Sequence, residues 1–231
     1  MCVSVRLLLT LLLLLLPGVS RARMPDVLAP AALCDTAITT AGYVEGLPAR
    51  LLGAIARVES GRRDPVTDRL TPWPWTINAA GIGAFYASKA DAIAAVQRLL
   101  ARGVRSIDVG CMQVNLMFHP KAFASLDEAF DPRANALYAA RFLSALRAGS
   151  RDWPQAVGAY HSQTPVLGED YRHRVLALWR DPGLVARGLS LAAAYQDFAP
   201  HSQIYGDFAQ HGMAYGAFAM RNPALTGVPR R

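Results

Sequence analysis

Glu59 is the first residue whose setting suggests chemistry. It stands in Ala56-Arg57-Val58-Glu59-Ser60-Gly61, the last turn of an apolar, helix-periodic stretch just before a glycine stop. The carbonyl end of a helix carries partial negative charge and disfavours a carboxylate. Burial against Ile55 and Val58 acts in the same direction by desolvation. Both effects raise the pKa, and a carboxyl group that keeps its proton near neutral pH can serve as a general acid. Surface glutamates also end helices, so the position alone does not define a site.

A general acid protonates a leaving atom, and glycoside cleavage is one of several reactions that use such a group. Retaining hydrolases hold a second carboxylate about 5–5.5 Å from the acid, and inverting ones about 6.5–9.5 Å away. Asp64, Asp68 and Asp108 are the nearest candidates in the informative segments. Asp64 precedes Pro65 in a loop and Asp108 can equally cap a turn, but Asp108 is the strongest reason to keep a hydrolase in view. Other chemistries lack their residues. There is no C-x-x-C, and His119, His161, His173, His201 and His211 never fall four apart on a helix with a glutamate, so no metal site is expected. Neither a G-x-x-x-x-G-K-[ST] phosphate cradle nor a G-x-S-x-G elbow occurs, and no cofactor is expected.

Helices must position these groups. Asp35 is predicted to cap a first helix that runs to Val44 and stops at Gly46. Pro48 sits where a first-turn proline would open a second helix over 48–60, with Leu51, Leu52, Ile55 and Val58 at helical spacing. Periodicity is then lost over 61–80, which holds Pro65, Pro72, Pro74, Trp73 and Trp75. The two tryptophans could stack on sugar rings or pack as core or lid. Segments 75–78 and 82–87, around Ala79-Ala80-Gly81, predict a small hairpin. Ser88-Lys-Ala-Asp91 has the form of a capping box and opens a helix to Ala101, closed by Gly103. Asp131-Pro132 begins another, with Leu137, Phe142 and Leu146 on its inner face, and 153–161 and 168–179 supply two more. About six helices and one hairpin predict a mainly α fold, α+β in its small hairpin. A lysozyme-like architecture and other α bundles both satisfy that pattern.

Three later segments follow Glu59-Ser60-Gly61 in order: Ser106-Ile-Asp-Val-Gly-Cys-Met-Gln-Val-Asn115, Ala159-Tyr160-His161, and Asp170-Tyr171-Arg-His-Arg-Val175. This ordered set resembles the family-1 lytic transglycosylases, the lysozyme-like SLT domain of bacterial peptidoglycan-cleaving enzymes. Their Glu-Ser-Gly motif is complete here. Their Gly-Leu-Met-Gln appears with Cys111 for Leu, their Ala-Tyr-Asn with His161 for Asn, and Tyr171 matches a tyrosine that often follows. The resemblance spans roughly residues 34–179, although 61–103 is longer than in many members.

The resemblance implies a lysozyme-like fold with Glu59 as the single catalytic acid/base. It implies that Ser60 helps hold substrate, that Met112 and Gln113 line the cleft, and that Tyr160 hydrogen-bonds near the glutamate. His161 and Tyr171 join them as candidate substrate-binding residues, and Gly110 would let backbone approach a sugar closely. The implied reaction cuts the MurNAc–GlcNAc β-1,4 bond of peptidoglycan glycan strands without water, leaving 1,6-anhydro-MurNAc ends. A lysozyme-type hydrolase using Asp108 and a non-catalytic wall-binding or assembly module are the alternatives. Relatives of this type often open the wall for secretion systems or flagella, and the sequence names no such partner.

The ends of the chain bear on location. Arg6 precedes a run over 7–16 whose only non-leucine is Thr10, followed by Pro17-Gly18 and by Arg21 and Arg23. That is the pattern of a secretory signal over 1–23. The apolar run is shorter than the roughly 20 residues of a spanning helix, and no cysteine directly follows it for lipidation. An exported, periplasmic or extracellular protein with no stable membrane anchor is expected. Losing Arg6, Arg21 and Arg23 lowers the formal charge from +7 to +4, too mild a balance to suggest nucleic acid. Cys34 and Cys111 then remain, and two cysteines in an oxidising compartment tend to pair.

With 52% hydrophobic and 18% charged residues, most of the chain can build a core, here assigned to a domain over 34–180. A monomer is expected. Residues 181–231 form an extension in which Tyr195-Gln-Asp-Phe-Ala199, Tyr205-Gly-Asp-Phe-Ala209 and Tyr215-Gly-Ala-Phe-Ala219 repeat with a period of ten. Three such short repeats are too few for a solenoid.

Overall fold

Side-chain caps start several helices where the sequence places them. In a computed structural model that describes residues 29–64, 69–162 and 164–181, seven helices and six short strands follow one another among the described residues. The predicted signal, Asp68 and the aromatic repeats lie outside the described residues. Ser88 accepts the Asp91 N–H at 3.1 Å to open α3, Lys89–Ala101. Asp131 accepts the N–H groups of Arg133 and Ala134 at 2.9 Å each at the head of α5, Pro132–Ala148. Asp152 accepts from Gln155 at 2.8 Å for α6, Trp153–His161. Each cap satisfies donors that the first helical turn would leave unpaired.

Three helix starts differ from expectation. The first helix, α1, is Pro30–Val44 and begins before Asp35, because Pro30 suits a first turn and Ala31, Ala32 and Leu33 propagate it. Asp35 therefore lies inside α1, where it pairs with Arg57 at 3.4 Å instead of capping. Helix α2 is Leu51–Ser60 and not 48–60, since Arg50 at φ 66° leaves the helical region. Helix α7, Pro165–Arg180, again opens on a proline, three residues before the predicted start. A further single turn, α4 at Leu126–Ala129 with Ser125 as its cap, is too short to show a period in sequence.

Strand β3, Thr76–Ala79, pairs antiparallel with β4, Ile82–Phe85, as the predicted hairpin. Its turn residues Ala80 and Gly81 both have positive φ, 53° and 80°, as a two-residue hairpin with right-handed twist requires. This hairpin is part of a larger sheet of order β4-β3-β5-β6, completed by β5, Ile107–Val109, and β6, Val114–Asn115. A separate ribbon pairs β1, Gly61–Arg63, with β2, Leu70–Pro72, inside the stretch that shows no periodicity.

Two cores divide the domain. Leu51, Ile55, Leu143, Val157 and Val175 belong to the larger, built by α1, α2, α5, α6 and α7. Ile77, Val96, Ile107, Val109 and Phe130 form the smaller, where the sheet meets α3 and α4. The segment after β5 crosses between them: Val109 packs in the smaller core, while Cys111, Met112 and Val114 pack in the larger. Helices α6 and α7 meet at Gly158 and Gly168. A Cβ on Gly158 would stand 3.1 Å from the Gly168 carbonyl oxygen, and one on Gly168 would stand 3.0 Å from the Gly158 carbonyl oxygen. Side chains there would push α7 outward.

Candidate active site

Glu59 ends α2 with a half-buried side chain. The fully buried Tyr171 of α7 donates its hydroxyl to Glu59 Oε1 at 2.6 Å. Burial raises the Glu59 pKa from an ordinary 4.5 to about 8; the Tyr171 bond opposes this, the charge of Asp108 adds to it, and Arg174 opposes it. Glu59 is therefore protonated at neutral pH, with desolvation as the main cause. Tyr171 is itself pushed well above its usual pKa, by burial first and by the Glu59 charge second, so it remains a donor.

Facing this pair is a segment held from several sides. Ser60 donates to the Cys111 carbonyl at 2.6 Å, and Tyr160 donates to the Met112 carbonyl at 2.9 Å. Asn135, fully buried on α5, accepts the Met112 N–H at 2.9 Å and donates to the carbonyls of Val109 and Ala129 at 3.0 Å each. Gly110 has φ 82°, and a Cβ there would lie 2.5 Å from Asn135 Nδ2. Gln113 takes φ 47° and donates from Nε2 to the carbonyls of Gly110 at 3.0 Å and Thr76 at 3.1 Å. A disulfide between Cys111 and Cys34 of α1, with a Cα separation of 5.8 Å, adds a covalent tie.

This geometry gives each expected site residue a definite place. Ser60 and Met112 are 1% and 0% exposed, so their side chains frame the site from within. The hydroxyl on Glu59 belongs to Tyr171; that of Tyr160 is directed to the Met112 backbone. His161, half-buried, stacks on the Tyr171 ring at 4.6 Å and 6°. Burial, aided by Arg174, lowers the His161 pKa to about 4, so its imidazole is neutral at physiological pH. Gln113 is half-buried, with its amide nitrogen engaged by backbone.

Asp108 accepts from Asn115 Nδ2 at 2.8 Å, and burial outweighs that bond to push its pKa to about 7. Trp73 and Trp75 meet edge-on at 5.8 Å, and the Arg62 guanidinium covers the Trp73 ring at 4.4 Å. One Trp73 face is therefore already occupied.

Asn135 and Arg174 went unnoticed in the sequence. Asn135 shares the inner face of α5 with Ala139, Phe142 and Leu146, and a polar residue in phase with a buried stripe was the available signal. Leu137, expected on that face, is only partly buried.

The family model described as Transglycosylase SLT domain matches residues 36–169, more than half of the 231-residue chain. No curated protein and no solved structure matches it. The match takes in Glu59, the held segment, Tyr160 and His161, and it ends before Tyr171. Its extent agrees with a mainly α, lysozyme-like fold, and the chain belongs to the transglycosylase SLT domain family, whose substrate is peptidoglycan.

Proposed function

We propose that this protein is an exported lytic transglycosylase in which Glu59 acts alone, first as acid and then as base. The observation that carries the reading is a glutamate protonated at neutral pH and oriented by the Tyr171 hydroxyl at 2.6 Å. Glu59 gives its proton to the glycosidic oxygen as the bond to the muramyl C1 breaks. The neighbouring N-acetyl carbonyl stabilises the positive charge that develops at C1. The muramyl 6-hydroxyl oxygen then attacks C1, and its proton passes to the Glu59 carboxylate. The ring closes as the 1,6-anhydro sugar, no water is consumed, and the acid is regenerated.

Export rests on the signal pattern over 1–23. No helix among the described residues is long and apolar enough to cross a membrane.

Asp108 supports a second reading, hydrolysis, because its charge is felt at Glu59. Digestion of purified sacculi separates the two. Under the proposal the wild type releases products one water lighter than hydrolysed ends, and Glu59→Gln retains less than about a tenth of the activity while keeping its fold. New reducing ends from the wild type would refute the non-hydrolytic route, and an active Glu59→Gln would move the acid elsewhere.

A further inference from the structure

We infer that Arg174 forms an anion subsite beside Glu59 that takes a carboxylate on the muramyl residue being cut. This rests on the peptidoglycan reading above and goes beyond it by assigning a specificity-determining residue. Arg174 lies one helical turn beyond Tyr171 on α7, so the two side chains share a face. Its guanidinium carbon is 5.8 Å from the Tyr171 ring centroid, and the hydroxyl of that ring holds Glu59 at 2.6 Å. The positive charge is also felt at Glu59, at Tyr171 and at His161, in keeping with that closeness.

Among the described residues the charge has no carboxylate partner. Among the described residues, Arg57 pairs with Asp35, Lys89 with Asp127, Arg141 with Glu45, and Arg172 with Glu169, whereas no carboxylate lies within ion-pair distance of Arg174. The groups its charge reaches do not neutralise it in the resting site: Glu59 keeps its proton, and His161 and Tyr171 are neutral. Arg174 is half-buried, and no carboxylate among the described residues pairs with it. An incoming carboxylate supplies the absent anion, and a guanidinium matches it with two parallel hydrogen bonds.

Muramic acid differs from N-acetylglucosamine by a lactyl ether on C3, two ring carbons from the C1 that is attacked. In peptide-free glycan this group ends in a carboxylate. When a stem peptide is attached, that carboxyl becomes an amide and the peptide supplies its own carboxylates. Either source offers the same chemistry to Arg174.

Binding measured by calorimetry on the full-length Glu59→Gln protein tests the inference with three tetrasaccharides. They are a peptide-free GlcNAc–MurNAc repeat, the same repeat bearing stem peptides, and uncharged chitotetraose. Adding Arg174→Gln is expected to weaken the muramyl ligands by about five- to tenfold and to leave chitotetraose within about twofold, with Arg174→Lys in between. Loss on the peptide-free ligand assigns the lactyl carboxylate; loss confined to the peptide-bearing ligand assigns the stem. Equal loss on all three, chitotetraose included, means that Arg174 supports the fold and overturns the inference. So does no loss on any of them, the result expected if the charge serves only the Glu59 carboxylate. Absence of binding by the Arg174-intact protein overturns it as well. The proposed function falls separately, if the wild type fails to release anhydro ends from sacculi.

Discussion

Replacing Tyr171 with phenylalanine isolates one hydroxyl and asks what it does for the acid. The bond from Tyr171 to Glu59 Oε1 is 2.6 Å long and spans α7 to α2. A hydrogen bond to a charged group contributes about 1.5–3 kcal/mol, and one between neutral groups about 0.5–1.5 kcal/mol. The bond therefore favours the carboxylate over the carboxylic acid by about 1–1.5 kcal/mol, or about one pKa unit. Removing it should raise Glu59 from about 8 to roughly 9. Because the reaction begins from the protonated acid, the alkaline limb of kcat/KM should move up by about one unit. Its plateau should fall about ten- to hundredfold as the carboxyl group loses its oriented partner. Tyr160→Phe is the matched control: its hydroxyl goes to the Met112 carbonyl, so that variant should leave the limb in place. A pH series on solubilised glycan strands, read by mass spectrometry of anhydro ends, measures both. An unmoved or lowered limb in Tyr171→Phe would refute the claim that this hydroxyl sets the acid.

Asp108→Asn removes a negative charge that raises the Glu59 pKa, so its alkaline limb should move to lower pH. If Glu59 acts alone, that variant keeps its rate within about tenfold and its products remain one water lighter; a loss of several orders of magnitude would establish Asp108 as an essential group. Gly110→Ala forces a Cβ to 2.5 Å from Asn135 Nδ2 at φ 82° and should cost about 2–3 kcal/mol in denaturant unfolding; an unchanged midpoint would contradict the close approach. Replacing Cys34 and Cys111 by serine opens a loop whose ends are 77 residues apart and should cost about 4 kcal/mol, against which a change below about 1 kcal/mol would count.

Much of this protein is legible in its residues because the relevant signals are local. The apolar spacing of α2, the glycine after it and the carboxylate in its last turn marked Glu59 without any knowledge of its surroundings. Ser88 and Asp131 marked helix starts, since a cap bonds only within its own turn. Strands of two or three residues carry no readable alternation, so β1, β2, β5 and β6 emerged only from pairing.

The assignment of the two tyrosines was a tertiary matter. Both stand near the motif in sequence, and nothing local says which hydroxyl reaches Glu59. The close contact of α6 and α7 at Gly158 and Gly168 brings Tyr171 onto the acid and turns Tyr160 to the Met112 backbone. Desolvation likewise belongs to the fold, because the pKa of Glu59 depends on what surrounds it and not on its neighbours in the chain. The sequence alone determined which residues are capable of the chemistry. Packing decided which of them meet, because hydrogen bonds and burial act through space, between helices that are distant in the chain.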